Sequence, residues 1–194
     1  MTAGEGPAPD WRRLWAPRAV AVVGASAREG TYGQRALRYA RAFPGGARVY
    51  AVNPNAAEID GQPCFPRLSD LPEPPDAAIL LLRHERLADA LAECARCGVG
   101  FALVPGDVPR ARWALLRRAA AGVRIVGPNG VGVVDAVAGL ALSTSSALGA
   151  GRLRPGGVSV VSHSGGVLGT LLDRGQERAI GFRRLVSCGQ EMDL

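Results

Sequence analysis

The chain has 194 residues, enough for one domain or for one domain and part of another. Its 47% hydrophobic content can fill a globular core, and no apolar run approaches the roughly 20 residues of a membrane span, so no membrane partner is expected. The net charge of +6 comes entirely from arginine, dispersed among abundant Ala, Gly and Pro; without an RNA- or DNA-binding signature it argues against nucleic acid and for an anionic small ligand.

In chain order, the first 16 residues are Gly- and Pro-rich, lack the apolar stretch of a signal sequence and are expected to be flexible, which suits a cytoplasmic protein. AVAVVG (residues 19–24) is a short continuous apolar run, as a strand buried on both faces requires. GQRALRYARAF (33–43) has helical spacing, with Ala36, Leu37 and Ala40 on one side and arginines on the other. RVYAV (48–52) and AAILLL (77–82) read as strands. They are followed by the helix ERLADALAECAR, the strand GFALV, the helix VPRARWALLRRAAA and the strand VRIVG. Aromatics make up 5%, so the core is expected to be built from Val, Leu, Ala and Ile. Alternation of strands with crossovers of this length predicts an α/β fold with a doubly wound parallel sheet over 17–141.

LSTSSALGAGRLRPGG (142–157) is small, polar and Gly/Pro-containing and predicts a linker. A second strand–turn–helix–strand unit follows over 158–194: GVSVVS, HSGGVLGTLLDRGQ, FRRLVS. With about 40 residues it lies near the lower limit for independent folding, and it reads as the opening of another α/β domain. The simplest reading is that the chain is a fragment or a shortened product. An uncovered sheet edge there would favour homo-oligomers. Of the four cysteines, Cys94 and Cys97 form a C-x-x-C inside a helix with no second pair; with His84 and His163 as the only histidines, no zinc site and no metal is expected.

Two turns carry the functional signal. In AVVGASAREGTYG, Gly24, Gly30 and Gly33 lie between the first strand and the first helix, where a Rossmann-like fold meets a diphosphate; Ser26 adds a hydroxyl. The alternative there is a tight turn with no ligand. The second strand ends in Asn53 and Pro54, where an NAD site expects an acid for the ribose, so a dehydrogenase is the weaker reading. The second turn, SHSG, places Ser162, Ser164 and Gly165 at a helix N-terminus, a cradle for a phosphoryl group. No Ser–His–Asp arrangement accompanies His163, and no catalytic residue is assigned.

The strings VVGAS, RVYAVNPN, IDGQPCFPRLSDLPEPPDAAILLL and GVRIVGPNGVGVV together resemble the coenzyme A-binding domain of NDP-forming acyl-CoA synthetases, relatives of the succinyl-CoA synthetase alpha subunit. The resemblance implies that Gly24, Ala25, Ser26, Asn53 and Pro54 contact the diphosphate and adenosine of coenzyme A. It also implies that the segment after the third strand and the turn Gly127, Pro128, Asn129 border its pantetheine arm. The chain departs from the family pattern at Arg83, which could reach a phosphate or be a solvated loop arginine, at Asp107 and at Gly130. VVSHSGGVLG is similar to the opening of the family's flavodoxin-like second domain, whose turn helps hold a phosphorylated histidine that lies further along the family's chain. An ATP-grasp domain or beta subunit, using ATP, ADP and Mg, charges that histidine, and coenzyme A captures the acyl phosphate. The chain is thus expected to be a coenzyme A-binding module of a ligase; the alternative is a free-standing protein that senses coenzyme A or its acyl form.

Overall fold

The structure, a computed structural model, describes residues 8–150 and 153–193. Strands β1 (Ala19–Val23), β2 (Arg48–Val52), β3 (Glu58–Ile59), β4 (Gln62–Phe65), β5 (Ala77–Leu80), β6 (Phe101–Leu103) and β7 (Arg124–Val126) form one sheet in the order β3-β4-β2-β1-β5-β6-β7. All its pairs are parallel except β3–β4. This is the doubly wound, Rossmann-like sheet that the alternating pattern predicts.

The continuous apolar runs follow from burial on both faces. Val20, Val22, Ala77, Ile79, Phe101 and Leu103 point into one core, whereas Ala21, Ala78, Leu80 and Ala102 point into the other. Helix α2 (Tyr32–Ala42) covers the first face through Ala36, Leu37 and Ala40. Helices α3 (Leu87–Arg96) and α4 (Trp113–Ala120) cover the second through Leu87, Ala90, Leu91, Cys94, Leu116 and Ala120. Both begin later than their spacing suggests. Tight 3-10 turns at His84–Arg86 and Arg110–Arg112 precede them, the latter closed by the Arg112 amide on the Pro109 carbonyl at 2.9 Å.

The remaining strands make a second sheet. Strands β8 (Gly132–Asp135) and β9 (Leu140–Ser143) form an antiparallel hairpin; β10 (Pro155–Ser162) and β11 (Phe182–Ser187) run parallel around α5 (Gly165–Glu177). The order is β10-β11-β8-β9. The βαβ opening of a second α/β unit is thus present, and the hairpin before it belongs to that sheet. Val133, Leu140 and Leu142 pack against α2 on one side, while Val134 and Ala141 pack under Leu168 and Leu172 of α5 on the other. Of the segment expected as a linker, residues 142–143 complete β9 and 155–157 begin β10; residues 151–152 lie outside the described ones.

The flexible start expected over residues 1–16 needs correction from Trp11 onward; residues 1–7 lie outside the described ones. Helix α1 (Arg12–Trp15) docks on the first sheet: Leu14 is buried and the Trp11 ring lies 5.3 Å from that of Phe101. Arg13 and Arg18 bind Asp76, whose side chain accepts from Arg13 Nε at 3.1 Å and from the Arg18 amide at 2.8 Å. A four-residue helix is too short to show a period, so its apolar face is not legible as a pattern. The far end of the chain is held as well. Met192 is fully buried in the core with α3 and α4, and Arg117 Nε donates to its carbonyl at 2.7 Å.

Candidate functional site

The chain leaves β1 toward β2 on one side of the sheet and leaves β5 toward β6 on the other, so a crevice opens past the ends of these adjacent strands. Gly24 closes β1 there with φ +85°, and a Cβ on it would lie 2.5 Å from the Leu81 carbonyl oxygen. No side chain fits, and the turn lies directly against the end of β5. A Cβ on Gly33 would collide with the Gly24 carbonyl, which brings the first turn of α2 onto the same loop. Thr31 caps that helix: its hydroxyl accepts from the Gln34 amide at 3.2 Å and donates to the Arg28 carbonyl at 2.8 Å. The unpaired amides of the α2 N-terminus supply positive potential beside the turn.

A cleft of about 640 Å³ follows, walled by Gly24, Ser26, Thr31, Tyr32 and Gly33 on one side and by Leu82, Arg83, Gly106, Asp107 and Asn129 on the other. A second, of about 780 Å³, adjoins it at Gly24 and Leu82 and continues past Asn53, Pro54, Arg67 and Arg86. Together they form an extended groove that passes the glycine turn.

The structure places the residues singled out above as follows. Gly24, Ser26, Arg83 and Asn129 line the first cleft, and Asn53 and Pro54 the second. Ala25 is fully buried and lines neither. Asn53 has its amide engaged at both ends: Nδ2 donates to the Ala25 carbonyl at 2.8 Å, and Oδ1 accepts from the Asn55 amide at 2.9 Å. It ties the end of β2 to the glycine turn. Ser26 Oγ accepts from the Arg28 amide at 3.0 Å, which leaves its proton free to donate. Arg83 is exposed and makes no side-chain hydrogen bond or ion pair among the described residues. Gly127 and Pro128 are buried behind Asn129; the tail holds this turn, with the Gln190 amide on the Pro128 carbonyl at 2.8 Å and the Met192 amide on the Gly127 carbonyl at 3.0 Å. Asp107 accepts from Gln190 Nε2 at 3.2 Å.

Thr31, Tyr32 and Gly106 were not singled out in the sequence. Thr31 was findable, because T-x-x-Q before a helical run is a capping signature.

At the second turn, Ser164 caps α5 by accepting from the Val167 amide at 3.2 Å, and Ser162 Oγ accepts from the Ser164 amide at 3.1 Å. Gly165 lies so close to Val131 that a Cβ would meet it at 2.5 Å. It borders a third cleft of about 560 Å³, which also contains Arg35, Ser145 and Arg174. Tyr32 walls both this cleft and the first, so the two glycine turns flank neighbouring spaces and share none.

The family described as CoA binding domain matches residues 18–136, more than half of the chain. The chain belongs to that family. Beyond the CoA-binding domain, residues 155–194 match a succinyl-CoA ligase-like flavodoxin domain. The chain is 33% identical to ADP-forming acetate–CoA ligase I of Archaeoglobus fulgidus over 190 residues, covering 92% of this chain and 27% of that one. It is 28% identical to the alpha subunit of ADP-forming acetate–CoA ligase II of Pyrococcus furiosus, covering 92% and 40% respectively. The dinucleotide-forming acetyl-coenzyme A synthetase 1 of Ca. Korarchaeum cryptofilum, solved with phosphate and ADP, superimposes with a TM-score of 0.88 at 31% identity, over 95% of this chain and 40% of that one. The chain therefore spans less than half the length of these relatives. The resemblance read from VVGAS, VNPN and GPNGVGV stands, as does the α/β fold. No helix among the described residues is long and apolar enough to cross a membrane.

Proposed function

We propose that the CoA-binding domain holds coenzyme A along the groove that crosses Gly24. The observation that carries this is the crevice itself: a turn stripped of side chains at Gly24 and Gly33, a helix N-terminus beside it, and open clefts on both sides. The diphosphate would lie against the Gly24–Ala25–Ser26 backbone, where amide groups and the Ser26 hydroxyl donate to it. The adenosine would extend past Asn53 and Pro54, and the pantetheine arm past Leu82 toward Asn129 and the Gly127–Pro128 turn. Arg83 has no partner among the described residues and supplies a charge for a phosphate. The end of β2 offers no carboxylate for an NAD ribose, because Asn53 stands there with both amide atoms already bonded.

As part of a longer protein or complex, the chain would serve an NDP-forming acid–CoA ligase. Coenzyme A supplies the thiol that captures an acyl phosphate; this chain's residues bind and orient it. Phosphorylation by Mg-ATP would come from an ATP-grasp subunit or domain, and Ser162, Ser164 and Gly165 would hold the transferred phosphoryl group. The exposed Val158 and Val161 on edge strand β10 support self-association, which light scattering tests.

Calorimetric titration with coenzyme A, NADH and ATP tests the binding role. Coenzyme A should saturate a single site, with Arg83→Ala weakening it about tenfold or more, as loss of a charge-assisted bond requires. A folded chain that binds NADH and not coenzyme A, or neither, would overturn the proposal.

A further inference from the structure

His163, left without a role by the coenzyme reading, sits at a convergence of donor atoms. Its Nδ1 lies 2.9 Å from the Gly189 carbonyl. A carbonyl only accepts, so Nδ1 carries the proton, and in the neutral ring Nε2 presents a lone pair. That nitrogen faces Glu191 Oε1 at 3.3 Å. Two electron-pair donors at this separation need a cation between them, either a proton or a metal ion. A third donor makes the metal the better fit: the Cys188 sulfur joins the cluster, all three ligand atoms lying within 4.8 Å of one another.

We propose that His163 Nε2, Glu191 and Cys188 bind a divalent transition metal of the zinc class, which pins the chain after β11 to the second glycine turn. A tetrahedral ion with bonds of about 2.0–2.3 Å separates its ligands by roughly 3.3–3.8 Å. The His–Glu pair already has that spacing, and the sulfur lies within 4.8 Å of both partners. A nitrogen, a sulfur and one carboxylate favour zinc or cobalt over magnesium or calcium, which prefer oxygen-only shells. The Gly189 carbonyl on Nδ1 is the outer partner that metal-bound histidines use to fix ring and tautomer. His163 is largely exposed while Cys188 is 2% exposed, so the ion can enter from solvent and keeps a fourth position open to water. On binding, the Cys188 thiol releases its proton to solvent, and no electron is transferred.

The test is titration of the full 194-residue chain, stripped of metal by a chelator, with Co2+ and then Zn2+. One Co2+ per chain should bind with a thiolate-to-cobalt charge-transfer band and intense tetrahedral d–d bands, which Zn2+ displaces. Cys188→Ser should abolish the charge-transfer band, His163→Ala should weaken binding more than about tenfold, and Cys97→Ser should change nothing. Absence of the charge-transfer band, its persistence in Cys188→Ser, or an unchanged Co2+ affinity in His163→Ala would overturn the proposal. Because His163 lies on the surface, His163→Ala keeps the test open should Cys188→Ser fail to fold. The outcome does not depend on coenzyme binding, so the two proposals fail separately.

Discussion

Asn53→Asp separates a brace from a ligand at the centre of the groove. The substitution keeps the oxygen that accepts from the Asn55 amide and replaces the Nδ2 donor, 2.8 Å from the Ala25 carbonyl, with an anionic oxygen. Ala25 is fully buried, so its carbonyl loses its partner and gains a repelling neighbour. Loss of a bond that leaves a buried acceptor unsatisfied costs about 1–3 kcal/mol. At about 2 kcal/mol the melting temperature of a chain this size falls by roughly 4–8 °C. Coenzyme A affinity should fall with it, because the Gly24–Ser26 turn is no longer held to β2. Scanning calorimetry and isothermal titration on the same samples read both effects, with Asn53→Ala as the uncharged control. An Asn53→Asp chain that melts like the parent and acquires NADH binding would refute the bracing role and return the turn to the dinucleotide class.

Acid sensitivity follows from Asp76 and Asp135. Burial pushes the Asp76 carboxyl up, but the bonds from Arg18 and Arg13 outweigh it; at Asp135 burial is likewise outweighed, by the Ala138 amide and Arg184. Both carboxyls therefore sit below their ordinary value. Their stabilisation is complete above the unfolded pKa of about 3.9 and is lost as pH falls through the folded values. The urea midpoint should be level from neutral pH to about 5 and drop below about 4, with a shallower drop in Asp76→Asn; a midpoint that rises on acidification would contradict this. Met192→Ala, at a fully buried side chain, should cost about 2–5 kcal/mol. Hydrogen exchange should also quicken at Asn129, whose turn the tail holds; unchanged exchange with a lowered melting point would show that the tail stabilises the core alone.

Much of the fold and part of the site could be read locally. AVAVV, RVYAV and AAIL announce themselves as central strands because a sheet covered on both faces needs apolar residues at consecutive positions, and Val22 and Ala21 do point into opposite cores. The run from Gly24 to Gly33 announces a close approach of backbone, and Thr31 with Gln34 marks the start of α2. These are near-neighbour properties, fixed by sterics and hydrogen bonding within a few residues. What could not be read depends on contacts far apart in the chain. The GVVD and LALS strands of the β8–β9 hairpin carry a pattern that suits an edge of either sheet; pairing with β11, some 50 residues on, assigns them to the second. Leu14 and Met192 lie near the two ends in stretches too short to show a period, and only tertiary packing buries them. Asn53 looks like a ligand because it ends a strand at the groove, and only the Ala25 carbonyl brought beside it makes it a brace. Sequence determined which segments form strands, helices and bare turns, because those follow from local geometry; which segments meet was decided by the core they share.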